Sequence, residues 1–326
     1  MRAGSMWIFL LVCLAPTSLA SRPGSQFVAA CGKRLCIDGR PWRMHAAAVY
    51  DGLRSPTATV RRARKAHLNT LRIVNFLDEQ GDIRRAPFNE ARWRRVDRLI
   101  ARAAKARLRV ILDLSTYRNL LLEAHKNPYT TDWKRFIRFV TNRRNTVSEI
   151  RYADDPTIAL ISLAGEVQPP NGEGNIPGAT KRQVTRFFRR SFRQWKTADP
   201  KHLISTGGLM QLDWKSGVAW RRIFAMRQND VCSIHAYKLE IPEIPAVASH
   251  CARLEKPWIT EEFGWERIIG DRDRANRFRR IYRLQNEHGS AGAGFWNLGP
   301  SRQQLFNVNG STPRTLEVVR RAAPRP

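Results

Sequence analysis

Short apolar segments alternate with longer amphipathic segments along the chain from about residue 43 onward. The apolar segments have the length of β-strands, and several, such as Ile158 to Leu163, are apolar at nearly every position. Apolar residues on both faces of a strand are typical of a parallel sheet that is covered on both sides. Eight strands are predicted: Met44 to Tyr50, Thr70 to Phe76, Leu108 to Leu114, Thr157 to Ala164, His202 to Thr206, Val231 to His235, Trp258 to Glu262 and Ala293 to Trp296.

The segments between these strands carry apolar residues at helical spacing. One apolar face holds Trp93, Val96, Ile100 and Ala103, and another extends from Val184 to Trp195. A helix with one apolar face packs that face on a sheet. Eight strands, each followed by a helix, predict an α/β fold of the (β/α)8 or TIM barrel type.

The segment before the first barrel strand predicts a β-hairpin. It extends from Gln26 to Trp42 and has turn residues at Gly32 and at Asp38-Gly39. We expect this hairpin to close the floor of the barrel. No linker rich in Pro, Gly or Ser divides the remaining chain, so residues 21–326 are predicted to form a single domain.

The first 20 residues have the pattern of a secretory signal peptide. Arg2 precedes an apolar run from Trp7 to Ala15, and the small residues Ser18 and Ala20 mark a cleavage site. The alternative is an uncleaved membrane anchor, but the run is about half the ~20 residues that a membrane span needs. Cleavage after Ala20 would make the mature protein secreted or periplasmic, with no transmembrane segment.

Four cysteines remain after such a cleavage, and an oxidising compartment favours disulfides between them. Four cysteines allow three pairings. We favour Cys31 with Cys36, which flank a tight turn, and Cys232 with Cys251, which flank one predicted βα unit. Metal binding is the weaker interpretation, because neither C-x-x-C spacing nor a histidine pair at ligand spacing is present.

The composition changes the picture in two ways. With 42% apolar and 9% aromatic residues, the 326-residue chain cannot be a disordered or low-complexity protein. It also carries 57 Lys and Arg against 28 Asp and Glu, a net charge of +29. The basic residues cluster on predicted helices: Arg61, Arg62, Arg64 and Lys65; Arg92, Arg94 and Arg95; Arg182, Arg186, Arg189, Arg190 and Arg193; and Arg274, Arg277, Arg279 and Arg280.

These clusters favour solvated outer helix faces. The alternative is attraction to an acidic polymer, such as an anionic glycan or nucleic acid. No motif of a sequence-specific nucleic-acid-binding protein accompanies the charge, so specific nucleic acid is not an expected partner.

Polar residues at the carboxyl ends of the predicted strands are the candidates for chemistry, because that end carries the active site in such barrels. Glu166 follows the fourth strand, and Glu261 and Glu262 end the seventh. Two facing carboxylates can hydrolyse a glycosidic bond, one as a proton donor and the other as a nucleophile. The alternative places each carboxylate on the rim, in a salt bridge with one of the many arginines.

Other residues in or after the predicted strands are candidates for the same cleft. Arg72 lies in an otherwise apolar strand, and a buried guanidinium needs a carboxylate partner. We expect that partner to be Glu262, which the contact would keep ionised, unless Arg72 extends to solvent. His235 and Tyr237 follow the sixth strand and Trp296 ends the eighth. Alternatively, the histidine is structural and the tryptophan belongs to the core.

The sequence resembles the family 5 glycoside hydrolases, which are retaining (β/α)8 enzymes, from Phe27 through to Trp296. The resemblance rests on four features: Ile37-Asp38-Gly39-Arg40-Pro41-Trp42, Arg72, His235-Ala236-Tyr237 and Lys256-Pro257-Trp258-Ile259-Thr260-Glu261-Glu262-Phe263-Gly264. It is strongest with the β-mannanase type.

This resemblance implies a role for each candidate residue. Glu166 would be the acid/base, and Glu262, rather than Glu261, would be the nucleophile. Arg72, His235 and Tyr237 would tune and position Glu262, and Trp296 would form the floor of a sugar subsite.

The sequence departs from the family pattern at two strand ends. Family members usually carry Asn directly before the acid/base glutamate, where this chain has Gly165. The third strand also lacks the histidine often found at its end. A divergent subgroup is therefore expected.

The resemblance implies a secreted retaining endo-β-glycosidase that hydrolyses a β-1,4-linked polysaccharide, mannan first and glucan second, through a covalent glycosyl-enzyme intermediate. No metal or organic cofactor is expected, and the protein is expected to be a monomer. One alternative, motivated by Gly165, is a barrel weakened in catalysis that binds glycans at the envelope. Another is a basic secreted protein that adheres to anionic polymers.

Overall fold

The computed structural model describes residues 26–77, 81–167, 179–210, 218–300 and 305–324. The predicted signal peptide, residues 1–20, lies outside the described residues, so it stays a prediction, as does the single-domain boundary at residue 21. In the described part of the chain, no helix is long and apolar enough to cross a membrane.

Three antiparallel strands open the described chain: β1 (Val28–Cys31), β2 (Arg34–Ile37) and β3 (Arg40–Trp42). The predicted hairpin thus gains a third strand, in which Pro41 lies on an edge and needs no hydrogen-bond donor. Val28 and Leu35 pack against residues at the start of barrel strands, including Met44 and Leu203. The small sheet therefore closes the barrel floor, as expected.

Eight parallel strands form the barrel, in the order β8-β7-β6-β5-β4-β11-β10-β9. All eight predicted strands are confirmed: six are slightly shorter than predicted, β10 has the predicted bounds, and β11 begins and ends one residue earlier. They are β4 (Met44–Ala48), β5 (Thr70–Ile73), β6 (Arg109–Asp113), β7 (Ile158–Ser162), β8 (Leu203–Ser205), β9 (Cys232–His235), β10 (Trp258–Glu262) and β11 (Gly292–Phe295).

The barrel closes between β8 and β9, the two ends of this order, through isolated bridges rather than a continuous ladder. The bridges pair Ser205 with Val231 and Leu209 with Ile234. We call this closure the β8–β9 seam.

Helices cover the outside of the barrel. They are α1 (Pro56–Lys65), α2 (Glu90–Lys105), α3 (Ser115–Glu123), α4 (Lys134–Asn142), α5 (Lys181–Ala198), α6 (Trp220–Phe224), α7 (Ile244–Arg253), α8 (Asp271–Glu287) and α9 (Pro313–Arg321). The predicted apolar faces are buried, for example Trp93, Val96, Ile100 and Ala103 on α2.

The basic clusters lie mainly on the outer faces of α1, α2, α5 and α8. Arg274 is an exception to the predicted solvated faces, because it is fully buried. Its guanidinium donates hydrogen bonds to the backbone carbonyls of Asn307, at 2.7 Å, and Phe306. Arg274 therefore ties α8 to the loop before α9.

The two predicted disulfides have different outcomes. Cys31 and Cys36 form a disulfide across the β1–β2 turn. The predicted bond between Cys232 and Cys251 is wrong for this structure, because both residues are free, buried thiols. The βα unit does bring them into hydrogen-bond contact, but burial, with the neighbouring Cys251, raises the pKa of the Cys232 thiol well above its ordinary value. Cys232 and Cys251 are therefore close together, but burial disfavours the thiolate that disulfide formation requires.

Candidate active site

Arg72 and Glu262 meet at the carboxyl end of the barrel. Arg72 on β5 is buried, and its Nη1 donates a hydrogen bond to Oε2 of Glu262 at the end of β10. Its Nε donates to Oδ2 of Asp113, at the end of β6, over 2.9 Å. Nε also lies 3.7 Å from Oε2 of Glu261. The contact expected between Arg72 and Glu262 is present, and the alternative of a solvent-exposed Arg72 is excluded.

Arg72 is thus shared by three carboxylates. Burial alone would lower the pKa of Arg72, but the charges of Asp113, Glu262 and Glu261 together raise it above its ordinary value. The guanidinium therefore stays charged and holds Glu262 at a fixed position.

Glu261 faces a different environment from its neighbour. It is fully buried, and its carboxylate accepts hydrogen bonds from Oγ of Ser162, at 2.7 Å, and Oγ of Ser205, at 2.6 Å. The pairing of β10 with β9 shifts register between Thr260 and Glu262. Such an irregularity re-aims side chains near an active site. It accounts for two consecutive glutamates that both reach Arg72.

Glu166 lies opposite Glu262 with His235 between them. The Glu166 side chain follows β7 and is 35% exposed, whereas His235, at the end of β9, is fully buried. Nδ1 of His235 lies 3.1 Å from Oε1 of Glu166 and 3.7 Å from Oε2 of Glu262. One oxygen of each carboxylate and one imidazole nitrogen lie within 4.8 Å of one another.

The protonation of this group is shared. Burial alone would raise the pKa of Glu166, but the hydrogen bond and charge of His235, followed by the charges of Arg118 and Arg72, lower it to about 2. Burial would lower the pKa of His235, yet Glu262 and Glu166 outweigh that effect and raise it above its ordinary value. These directions favour a proton on His235 beside an ionised Glu166. Since the groups are coupled, the proton belongs to the pair.

Tyr237 is the second hydrogen-bond donor to Glu262. Its hydroxyl donates to Oε1, the oxygen that Arg72 does not contact. Burial, together with the charges of Glu262 and Glu166, raises the pKa of Tyr237 well above its ordinary value. Tyr237 therefore remains a donor at any pH at which the site would work.

Trp296 lies directly after β11 and is half-buried, so it is not a core residue. Its ring packs edge-on against Tyr50, with ring centres 5.9 Å apart, and Tyr50 is 38% exposed. Trp296 and Tyr50 both follow strands at the carboxyl end of the barrel, so they form an aromatic patch on the same end as the carboxylates.

Two glycines leave room for this arrangement. A Cβ on Gly208 would fall 1.7 Å from Cδ2 of His235, so only glycine lets the imidazole pack there. Gly165 has a φ of +59°, and a Cβ there would lie 2.3 Å from Cβ of Ser115. Ser115 of α3 therefore occupies the space that a side chain at position 165, where the resembled family usually carries Asn, would need.

Several residues of the site were not singled out as site residues from the sequence. Asp113 and Tyr50 had a signal, because each lies at the end of a predicted strand. Arg118 on α3 had none; its guanidinium donates to the backbone carbonyls of Ala164, at 2.9 Å, and Glu166. It thereby fixes the segment that carries Glu166.

Glu166, His235 and Glu262 are also, in the described ranges, the one group of His, Cys, Asp or Glu residues spaced to hold a metal ion. The chemistry of this donor set permits a divalent cation. The expectation that the protein needs no metal or cofactor stays a prediction.

Known proteins are similar to this chain in fold and, at low identity, in sequence. Mannan endo-1,4-beta-mannosidase 1 of Solanum lycopersicum is 25% identical over 339 residues, covering 85% of this chain and 84% of that protein. The structure of the endo-1,4-beta-mannanase from Rhizomucor miehei matches with a TM-score of 0.77 and 20% identity, covering 91% of this chain and 99% of that one. The glycoside hydrolase family 5 mannosidase from Rhizomucor miehei matches with a TM-score of 0.68 and 16% identity over 92% and 98% of the two chains. No family model matches the sequence.

The barrel, its paired carboxylates and these relatives define the class of the protein, a glycoside hydrolase. Within that class, the predicted resemblance to family 5 is confirmed, with mannanase-type proteins as relatives.

Proposed function

We propose that this protein is a secreted endo-β-1,4-mannanase that works by the retaining mechanism. The observation that carries the proposal is the placement of Glu166 and Glu262, with carboxylate oxygens within 4.8 Å across the carboxyl end of the barrel. Retaining glycosidases separate these groups by about 5 to 5.5 Å, whereas inverting enzymes leave about 6.5 to 9.5 Å for a water molecule. The named activities of the relatives support mannan as the substrate.

In the first step Glu262 attacks the anomeric carbon and the bond to the leaving oxygen breaks. Arg72 and Tyr237 each hold one oxygen of Glu262, so the attacking oxygen keeps its direction. Glu166 delivers a proton to the leaving oxygen. That proton is the one that Glu166 shares with His235 across the 3.1 Å contact, and it moves to Glu166 as the sugar binds.

In the second step Glu166 accepts a proton from water, and the resulting hydroxide attacks the anomeric carbon of the glycosyl-enzyme. Glu262 is released as a carboxylate, which again accepts hydrogen bonds from Arg72 and Tyr237. The aromatic patch of Trp296 and Tyr50 offers flat apolar faces to sugar rings next to the carboxylates.

The decisive experiment compares hydrolysis of β-mannan by the wild type, Glu262→Ala and Glu266→Gln. Glu266 is exposed and lies four residues further along, so it is a matched carboxylate outside the site. We expect Glu262→Ala to lose at least about a thousandfold in rate and Glu266→Gln to match the wild type. Equal rates for wild type and Glu262→Ala would overturn the proposal.

Stereochemistry and substrate need separate measurements. Proton NMR of the first product should show the β-anomer if configuration is retained, and the α-anomer would exclude the retaining mechanism. A panel of β-mannans and β-glucans orders the two substrates, with mannan expected to react faster. Oligosaccharide binding without turnover, unchanged by Glu262→Gln, would instead support a glycan-binding barrel, the alternative that Gly165 motivates.

Secretion rests on the predicted signal peptide in residues 1–20 and on the Cys31–Cys36 disulfide, a bond typical of oxidising compartments. Amino-terminal sequencing of the exported protein should begin at Ser21.

A further inference from the structure

The outer face of α8 carries arginines that the catalytic site does not use. Arg272, Arg277, Arg279, Arg280 and Arg283 are all exposed. Among the described residues, none of the five makes an ion pair with a carboxylate, whereas Arg94 on α2 and Arg321 on α9 each have one. This helix therefore presents uncompensated positive charge.

A groove between α8 and α9 collects much of that charge. Its volume is about 790 Å³, and its charged lining consists of Arg272, Arg279, Arg283, Arg314, Arg321 and Glu317. Glu317 is already engaged by Arg321, at 2.8 Å, and by Arg320, at 3.8 Å. The remaining guanidiniums have no carboxylate counterpart in the described part of the chain, so the groove favours an anionic occupant.

The arginine and asparagine side chains of α8 that line the groove are regularly spaced along the helix. Arg272, Asn276, Arg279, Arg283 and Asn286 follow one another at intervals of three or four residues, which places them on one row of the helix. The row spans 14 residues, or about 21 Å at 1.5 Å per residue. Guanidiniums match carboxylates in a bidentate manner, and side-chain amides both donate to and accept from hydroxyls.

The floor of the groove is apolar. Ala275 and Val318 lie there and are largely buried, so the arginine and asparagine side chains are the groups that an occupant of the groove would contact. Tyr282, the aromatic residue of the lining, is buried and offers no platform for a stacked base. These features favour an acidic sugar chain over a single-stranded nucleic acid.

The groove also has a useful place in the fold. Each barrel helix begins near the carboxyl end of the preceding strand and runs back toward the floor. The amino-terminal ends of α8 and α9 therefore lie on the side of the barrel that carries Glu262, and the groove leads away from that side.

We propose that the α8–α9 groove binds a carboxylate-bearing polysaccharide, a poly-uronate, and so holds the protein on an acidic glycan matrix. This goes beyond the proposed function, because it needs neither Glu166 nor Glu262.

The test measures retention on immobilised polygalacturonate in a NaCl gradient, and the Kd for soluble polygalacturonate. The groove variant is Arg279→Gln/Arg283→Gln. The control is Arg95→Gln/Arg98→Gln on α2, which removes the same charge from two exposed positions outside the groove. At about 50 mM NaCl, where screening is weak, we expect the groove variant to bind about tenfold more weakly and the control to stay within twofold of the wild type.

Three results would overturn the proposal: no retention of the wild type, equal losses in both variants, or tighter binding of single-stranded DNA that is lost in the groove variant. The first excludes the site, the second reduces it to net charge, and the third makes it a nucleic-acid site. Hydrolysis of neutral mannan should be the same in both variants and the wild type. If the wild type binds polygalacturonate but hydrolyses no glycan, the proposed function fails while this inference stands.

Discussion

Ser115 packs directly against Gly165. A Cβ added to Gly165 would lie 2.3 Å from the Cβ of Ser115 and 2.8 Å from the Oγ of Ser115. Ser115 therefore leaves room only for glycine at position 165. Packing from α3 explains the unusual residue before Glu166, and Glu166 itself is retained.

We predict that Gly165→Asn does not improve the enzyme. Asn tolerates a φ of +59° better than most residues, but its Cβ would collide with Ser115, at a cost of about 1–3 kcal/mol in the free energy of unfolding. Urea unfolding and mannan hydrolysis measure the two effects, and both should fall.

The double variant Gly165→Asn/Ser115→Gly is the matched test, because it removes the colliding atoms. It should recover stability and activity relative to Gly165→Asn alone. If Gly165→Asn is as stable as the wild type, or the double variant recovers nothing, the packing explanation is wrong.

The shared proton of His235 and Glu166 predicts the pH dependence. The pKa of His235 is raised above its ordinary 6.5, so the pair keeps its proton past that pH and the rate falls only at higher pH. In His235→Asn, Glu166 must hold the proton alone and, without the imidazolium that lowers its pKa, titrates nearer the ordinary range of a carboxyl. The alkaline limb of the kcat/KM profile should therefore move to lower pH, by about one unit or more.

His250→Asn is the control for that shift, since His250 lies on α7 and contacts a backbone carbonyl of Arg221. Its profile should coincide with that of the wild type. An alkaline limb that stays in place or moves to higher pH in His235→Asn would contradict a shared proton.

Glu261 should act as a positioning residue through Arg72. In Glu261→Gln the guanidinium loses one of its three carboxylate neighbours, so Glu262 faces a less compensated positive charge and becomes a weaker nucleophile. We expect kcat to fall about tenfold with KM nearly unchanged, as when a transition-state interaction alone is weakened.

The exposed Glu255, which pairs with Lys33, provides the control Glu255→Gln, with unchanged kcat and KM expected. A fall in the stability of Glu261→Gln with no change in kcat would assign the residue a structural role only.

The two cysteine pairs predict opposite responses to a reductant. The Cys31–Cys36 bond closes a short loop, so dithiothreitol should lower the free energy of unfolding of the wild type by about 2 kcal/mol or less. Cys31→Ser/Cys36→Ser should already be destabilised by that amount and should not respond to dithiothreitol. Cys232→Ala/Cys251→Ala should respond like the wild type. A response in Cys31→Ser/Cys36→Ser would show that Cys232 and Cys251 form a bond after all.

The sequence was sufficient for the barrel and for the residues at its strand ends. The hydrophobic pattern located all eight strands. A strand buried on both faces is a short, nearly continuous apolar run, whereas an amphipathic helix has apolar residues only every third or fourth position. The same pattern made Arg72 conspicuous, since a charge inside an apolar strand requires a partner.

The contact between Arg72 and Glu262 was predictable, but other contacts between distant elements were not. Ser115 beside Gly165, Arg118 on the carbonyl of Glu166 and Ser205 on Glu261 each join residues from different βα units. No periodicity encodes such pairs, because they are fixed only when the barrel closes. For Cys232 and Cys251, the sequence correctly predicted that the two residues are close together. It did not predict that both thiols are buried and remain free.

The β8–β9 seam has a consequence for how this enzyme would be inactivated. Few backbone hydrogen bonds cross it, such as those from Leu209 to Ser233, at 3.2 Å, and from His235 to Leu209, at 3.3 Å. Edges held by few bonds part at the lowest cost in free energy. Opening of the seam would move the imidazole of His235 away from Glu166, whereas the other seven interstrand ladders, including the one that pairs His235 with Glu262, stay intact. We therefore expect the enzyme to lose activity on warming at a lower temperature than that at which the barrel unfolds.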